Sequence, residues 1–198
     1  MLDDFIKTLA DPARPIPGGG AAAAYAGSVA LALFEKIVRV EMRRRQNISE
    51  NTQWPDLLDQ VLTLTQSFRR LRDRDAQSYL HLAQIKRSGR SQAEVTEALK
   101  QATDCPLQIM EQSCRALGCV SQASEHVKSH LLSDLQVVCE LLSAAGRGAC
   151  HIAQANLILM ADPDVRADYQ DRLNTLDDRS RATRKLANAS ILQSYAKP

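Results

Sequence analysis

The chain is poor in everything that punctuates a polypeptide. Its 198 residues include only 8 glycines and 7 prolines, and 4% are aromatic. A fold of many strands needs many turns, which are made mainly with Gly, Pro, Asn and Asp, so the shortage argues against a β-sandwich or barrel. Charge of one sign is also missing: 25 basic residues face 23 acidic ones, a net +2. With 44% apolar content, that balance excludes a disordered or low-complexity chain and demands no strongly electrostatic partner such as bulk nucleic acid. The five cysteines are odd in number, contain no CxxC pair and follow no recognisable signal peptide, so a reduced, cytoplasmic protein is expected rather than a disulfide scaffold. No run reaches the roughly 18 consecutive apolar residues of a membrane span. Ala21 to Leu33 comes nearest and reads as a buried helix, so no membrane partner is expected. His126 and His130 stand at a spacing that can bind zinc, but no third ligand accompanies them and no metal site is predicted.

Between the rare breakers lie long stretches of helical periodicity. Leu2, Phe5, Ile6 and Leu9 mark a short amphipathic helix that stops at Asp11-Pro12. A stiff segment, Pro12 to Pro17, leads to Gly18, Gly19 and Gly20. From Gly20 to about Arg45, the residues Ala22, Ala26, Val29, Leu33, Ile37 and Val40 recur as one helix face requires. Its first turns are almost all Ala and Gly, which lets a neighbour approach closely and predicts a central place in a bundle. Asn47 to Gln53 reads as loop. A second long helix is predicted from Trp54-Pro55-Asp56 to Ser88-Gly89, and a third from Ser91, with Glu94 completing a capping box. Pro106 should kink or restart that helix and Gly118 should close it, leaving Val120 to His130 as a further helix or pair of turns. Ser133 reads as the N-cap of a helix running to Met160, which Asp162-Pro163 breaks. A polar helix from Asp164 to about Tyr195 follows. The predicted fold class is all-α: an up-and-down bundle of long helices, dimerising through helix faces. It forms one domain, 1–198, whose residues 176–198 are a polar C-terminal helix or tail.

The strongest local signal is Pro17-Gly18-Gly19-Gly20 opening an alanine-rich helix. Successive glycines bring unobstructed N–H groups to a helix N-terminus, where the dipole favours negative charge, so an anion or a polarised oxygen can be held there. No Lys-Ser/Thr follows and no strand precedes, which excludes a P-loop. Spacing alone equally fits a tight turn at which two backbones touch.

This opening, with the basic cluster Arg43, Arg44 and Arg45 about a helix length later, resembles the cyclodeaminase domain of formiminotransferase-cyclodeaminase, a family that also includes stand-alone methenyltetrahydrofolate cyclohydrolases. Asp73-Arg74-Asp75-Ala76-Gln77-Ser78-Tyr79 is similar to the family's acidic Asp-x-Asp-Ala-x-x-aromatic stretch, and Ala98 to Pro106 to its Ala-Leu-x-x-Ala-Thr-x-x-Pro segment. Ser133-Asp134, Ala144-Ala145, Gly148-Ala149 and Asn156-Leu157 are similar to its long C-terminal helix. The resemblance covers residues 2 to 175. It implies a helical homodimer acting on one-carbon-substituted tetrahydrofolate in a groove near the subunit interface, with no cofactor beyond that folate-derived substrate. Two reactions belong to the family: closure of 5-formiminotetrahydrofolate to 5,10-methenyltetrahydrofolate with loss of ammonia, and hydration of the methenyl carbon to 10-formyltetrahydrofolate.

Both reactions pass through a tetrahedral carbon flanked by nitrogens and need a general acid–base group. Asp134, beside Ser133, is the first candidate, for proton transfer or for holding the cationic amidine; plain helix capping by Ser133 and Asp134 is the alternative. Asp75 matches the paired donors of a 2-amino-4-oxopterin, or else is a solvated acid beside Arg72 and Arg74. Arg43, Arg44 and Arg45 would receive the glutamate carboxylates of folate, or else complement the helix dipole. Asp134 and Asn156 share a helix stripe but lie about 33 Å apart along the axis, so within one chain they cannot serve one site. The family commonly has Ser where Ala21 stands, Asn where His151 stands, and a Gly/Asn-rich segment where Lys128 to Leu132 stand. These departures keep open a diverged, non-catalytic helical dimer that binds folate or a protein partner.

Overall fold

Capping chemistry sets where two of the long helices begin. The computed structural model describes residues 2–44 and 53–196, which form six α-helices with no strand among the described residues: α1 (Leu2–Ala10), α2 (Gly19–Arg44), α3 (Gln53–Arg87), α4 (Gln92–Ser124), α5 (Leu132–Ile158) and α6 (Pro163–Tyr195). The Ser91 hydroxyl accepts from the Glu94 N–H at 3.3 Å while the Glu94 carboxylate accepts from the Ser91 N–H at 3.0 Å, closing the expected box at the head of α4. Asp162 accepts from the N–H groups of Asp164 and Val165, with Pro163 supplying the first turn of α6. The predicted loop Asn47 to Gln53 and the third arginine, Arg45, lie outside the described residues, apart from Gln53, which opens α3.

Four helices form an up-and-down ring, α2 against α3, α3 against α4, α4 against α5, and α5 back against α2. The contacts fix the directions. Gly148 of α5 faces Ala23 near the start of α2, whereas Lys128, just before α5, meets Glu41 near the end of α2, so α2 and α5 are antiparallel. A Cβ on Gly27 would overlap the Phe68 ring, which shows how closely the glycine-rich half of α2 seats against α3. Trp54, Phe34, Phe68, Leu99, Met110, Leu117, Leu135 and Leu142 fill the centre and are fully buried, each worth about 1.5–3 kcal/mol of apolar burial. By length and composition α2 could cross a membrane, but half of its most apolar stretch is buried inside the bundle, as befits a core helix.

The polar α6 packs along one thin edge in the groove between α4 and α5. Tyr169, Leu173, Ser180, Ala187 and Ile191 form that edge. Tyr169 and Arg172 both donate to Asp104 of α4, at 3.1 and 3.0 Å. Residues 176–195 are therefore part of this helix rather than a tail. At the other end of the chain, Phe5 stacks on Tyr25 with ring centroids 4.3 Å apart, fastening α1 to α2.

Two expected breaks are absent. α4 runs through Pro106 and Gly118 to Ser124 without restarting. Pro106 and its neighbours Cys105, Leu107 and Ile109 are buried, as are Leu117, Cys119 and Val120 around Gly118, and this packing carries the helix past residues of poor propensity. Val120 to His130 accordingly splits into the last turn of α4 and a short 3-10 turn, Ser129–Leu131. Ser133 is not the N-cap of α5: the helix starts at Leu132 with no side-chain cap, because Leu131 and Leu132 are drawn into the core one position earlier. Ser133 is left exposed in the first turn.

Candidate functional site

The run of glycines is the doorway of α2, and the side chain that enters it comes from the same chain. Gly20 is buried, and a Cβ there would overlap the carboxylate of Asp75 from α3. A Cβ on Gly19 would lie 2.9 Å from Ile152 Cδ1 of α5. The glycines thus let two helices press side chains against bare backbone. The Ala21 N–H donates to Asp75, so the anion at this helix N-terminus is an internal carboxylate. Burial pushes the Asp75 pKa up and the Ala21 N–H lowers it, with burial the larger effect, so the proton is held more tightly than by an ordinary aspartate.

Around Asp75 lies a cavity of about 280 Å³. Pro15 and Ile16 from the segment before α2 cover one side, with Tyr79 and Leu82 of α3 and Ile152 and Asn156 of α5 on the others. The walls are mostly apolar and the polar groups few: Asp75, Tyr79, the glycine backbone and the Asn156 amide. That is the composition of a small-molecule site. Beneath Asp75, Cys105 donates to the Leu71 carbonyl at 3.3 Å, and burial, reinforced by the Asp75 charge, pushes its thiol pKa up to about 12. It is a neutral packing group rather than a nucleophile. A larger, more open groove of about 530 Å³ between α3 and α4 holds none of the predicted site residues.

The structure brings Gly18, Gly19, Gly20 and Asp75 together and leaves Asp134, Ser133, Arg43 and Arg44 apart from them. Asp134 and Ile152 are 18 residues apart on α5, about 27 Å along the axis at ~1.5 Å per residue. Arg43 is exposed at the far end of α2. Arg44 is committed to Glu41, its Nη2 2.6 Å from a carboxylate that is fully buried and also accepts from the Lys128 N–H at 3.0 Å. Its first task is therefore to neutralise a buried acid. Asp134 is half-buried in the first turn of α5.

Sequence reasoning leaves Asn156 structural unless a second subunit pairs it with Asp134, and gives no site role to the wall residues Pro15, Ile16, Leu82 and Ile152. Asn156 Nδ2 donates to the Ala102 carbonyl of α4 at 3.0 Å. The available signal was Pro106, which lacks the N–H that would otherwise pair with that carbonyl four residues back. Among the described residues no group of three His, Cys, Asp or Glu side chains is placed to hold a metal ion.

A solved structure of formiminotetrahydrofolate cyclodeaminase from Thermotoga maritima shares this architecture with a TM-score of 0.88 over 98% of this chain and 96% of that one, at 18% identity. No curated protein matches the sequence. The family model for formiminotransferase-cyclodeaminase matches residues 1–175, from α1 through the glycine turn, Asp75 and the whole of α5 into α6. The chain belongs to the formiminotransferase-cyclodeaminase family.

Proposed function

We propose that this folate one-carbon enzyme acts at the carbon joining N5 and N10 of tetrahydrofolate, as a formiminotetrahydrofolate cyclodeaminase, with Asp75 as its proton carrier. The observation that carries the reading is the position of Asp75: a carboxylate of raised proton affinity, in a small apolar cavity, fixed by a helix N-terminus. In the proposed reaction N10 attacks the carbon of the cationic formimino group, forming the N10–C bond. Asp75 takes the N10 proton and gives it to the departing nitrogen, which leaves as ammonia; the remaining bonds reorganise to the methenyl cation. One cation enters and one leaves, and the carboxylate is regenerated. A raised pKa suits this work, because the group must both accept and release the proton near neutral pH. A methenyltetrahydrofolate cyclohydrolase would use the same carbon and carboxylate, with water in place of ammonia.

The proposal includes a homodimer in the cytoplasm. Val29 on α2 and Val137 and Ala144 on α5 are exposed on neighbouring helices, beside the small Ala22, Ala26 and Gly148. A two-fold axis near Ala144, midway between Asp134 and Gln154, would set the arginine end of each chain against the glycine end of the other. Only in that arrangement do Asp134, Arg43 and Arg44 approach the folate. Mixing the protein with 5-formiminotetrahydrofolate tests the function: the expected result is growth of the near-UV absorbance of the methenyl product with release of ammonia. No acceleration with this substrate, and none of methenyl hydrolysis, would overturn it and leave the non-catalytic binding protein.

A further inference from the structure

Resting on the reading of this cavity as a folate site, we propose that Asn156 is a specificity-determining residue for the pterin ring, and that the carbonyl freed by Pro106 aims it. Pro106 sits in mid-helix without an N–H, so the carbonyl of Ala102, four residues earlier, has no helical partner. Ala102 is 8% exposed, and a buried carbonyl without a donor is costly. The Asn156 side chain from α5 supplies the donor at 3.0 Å.

This pairing settles how the amide points. A carbonyl only accepts, so the atom facing Ala102 must be the NH2 group, and the amide oxygen is turned elsewhere. Among the described residues no donor is bonded to that oxygen, and Asn156 lines the cavity with Gly18 to Gly20, Asp75 and Tyr79. The Asn156 oxygen therefore presents an acceptor to the cavity, and the complementary ligand group is an N–H donor on the edge of a flat ring. The 2-amino and N3–H edge of a tetrahydropterin has that character. A ring with a carbonyl at position 2 places an acceptor against an acceptor there and should be rejected.

Binding and stability in the same variants test the idea. The probes are 5-formyltetrahydrofolate and its analogue with a 2-oxo group, titrated calorimetrically into wild type, N156L, P106A and the double variant. Loss of one hydrogen bond predicts that N156L binds 5-formyltetrahydrofolate about tenfold more weakly, with KM rising more than kcat falls. Discrimination against the 2-oxo analogue should shrink by a similar factor. P106A restores an N–H for the Ala102 carbonyl, so it should fold normally, keep Asn156, and lose part of the affinity because the amide is no longer held. The thermal midpoint supplies a readout independent of folate: N156L should lower it in the wild-type background and leave it nearly unchanged in the P106A background. If wild type binds the folate and N156L binds it equally well with the same discrimination, the inference fails while the folate reading stands. If wild type binds neither probe, both fail. A midpoint loss of equal size in both backgrounds would overturn the role given to Pro106.

Discussion

A buried or half-buried acid lies near each end of α2, Glu41 on the helix itself and Asp75 reaching in from α3, and the two are treated in opposite ways. Glu41 is sealed from solvent and answered in full, by the Arg44 guanidinium and by the Lys128 N–H that fixes the chain entering α5. Asp75 has no cation; one backbone N–H reaches it, burial raises its pKa, and the rest of its surface faces a cavity. A satisfied carboxylate holds a fold together, whereas one left short of partners stores a proton affinity that chemistry can use. On the proposed reading the proton transfer belongs to Asp75 at the glycine end, and Glu41 at the arginine end serves the architecture.

Changing each acid sharpens that contrast. Asp75→Asn keeps shape and removes the proton carrier, so turnover should fall by ~10²–10⁴-fold, with the rising limb of the pH–rate profile abolished. The same variant should be no less stable than wild type at neutral pH. Because the folded state binds the Asp75 proton more tightly than the unfolded chain, stability falls as pH rises from the ordinary aspartate range through the raised value. Thermal melts across that range should show a smaller loss in the variant. Gly20→Ala forces the carboxylate aside, and a displacement of that order should cost ~10²-fold in turnover while circular dichroism stays helical.

At the other end the order of effects reverses. Glu41→Ala leaves Arg44 and the Lys128 N–H without their shared partner and should cost about 2–3 kcal/mol in denaturant unfolding, the low side of a buried pair because Arg44 is 37% exposed. Turnover per folded molecule should barely change. The smallest effect is expected at α6, where Arg172→Ala removes a half-exposed pair with Asp104 and a ring contact with Tyr169, worth less than about 1 kcal/mol. A large loss of activity there would mean that α6 does more than cover α4 and α5.

Much of the bundle was legible in the sequence, wherever a local rule decided the outcome. Ser91 with Glu94, and Asp162 with Pro163, are written within a few residues of one another, and the helices start where they say. The errors fall where burial outweighs local preference. Pro106 and Gly118 look like stops until the apolar residues around them are seen to be core, and Ser133 looks like a cap until Leu131 and Leu132 are seen to be buried. At the site, the glycines and Asp75 were each visible, but their meeting was not, because it depends on α2 and α3 packing antiparallel in one register. Glu41 left no local mark beyond its spacing to Arg44. Nothing in a string of arginines tells a ligand cluster from the counter-ions of a buried acid.

Turnover of 5-formiminotetrahydrofolate by Asp75→Asn and Glu41→Ala, measured side by side at a temperature where both remain folded, bears most directly on the division between the two ends. A loss of at least ~10²-fold confined to Asp75→Asn is the predicted result. Equal turnover in the two variants, or a larger loss in Glu41→Ala, would contradict it.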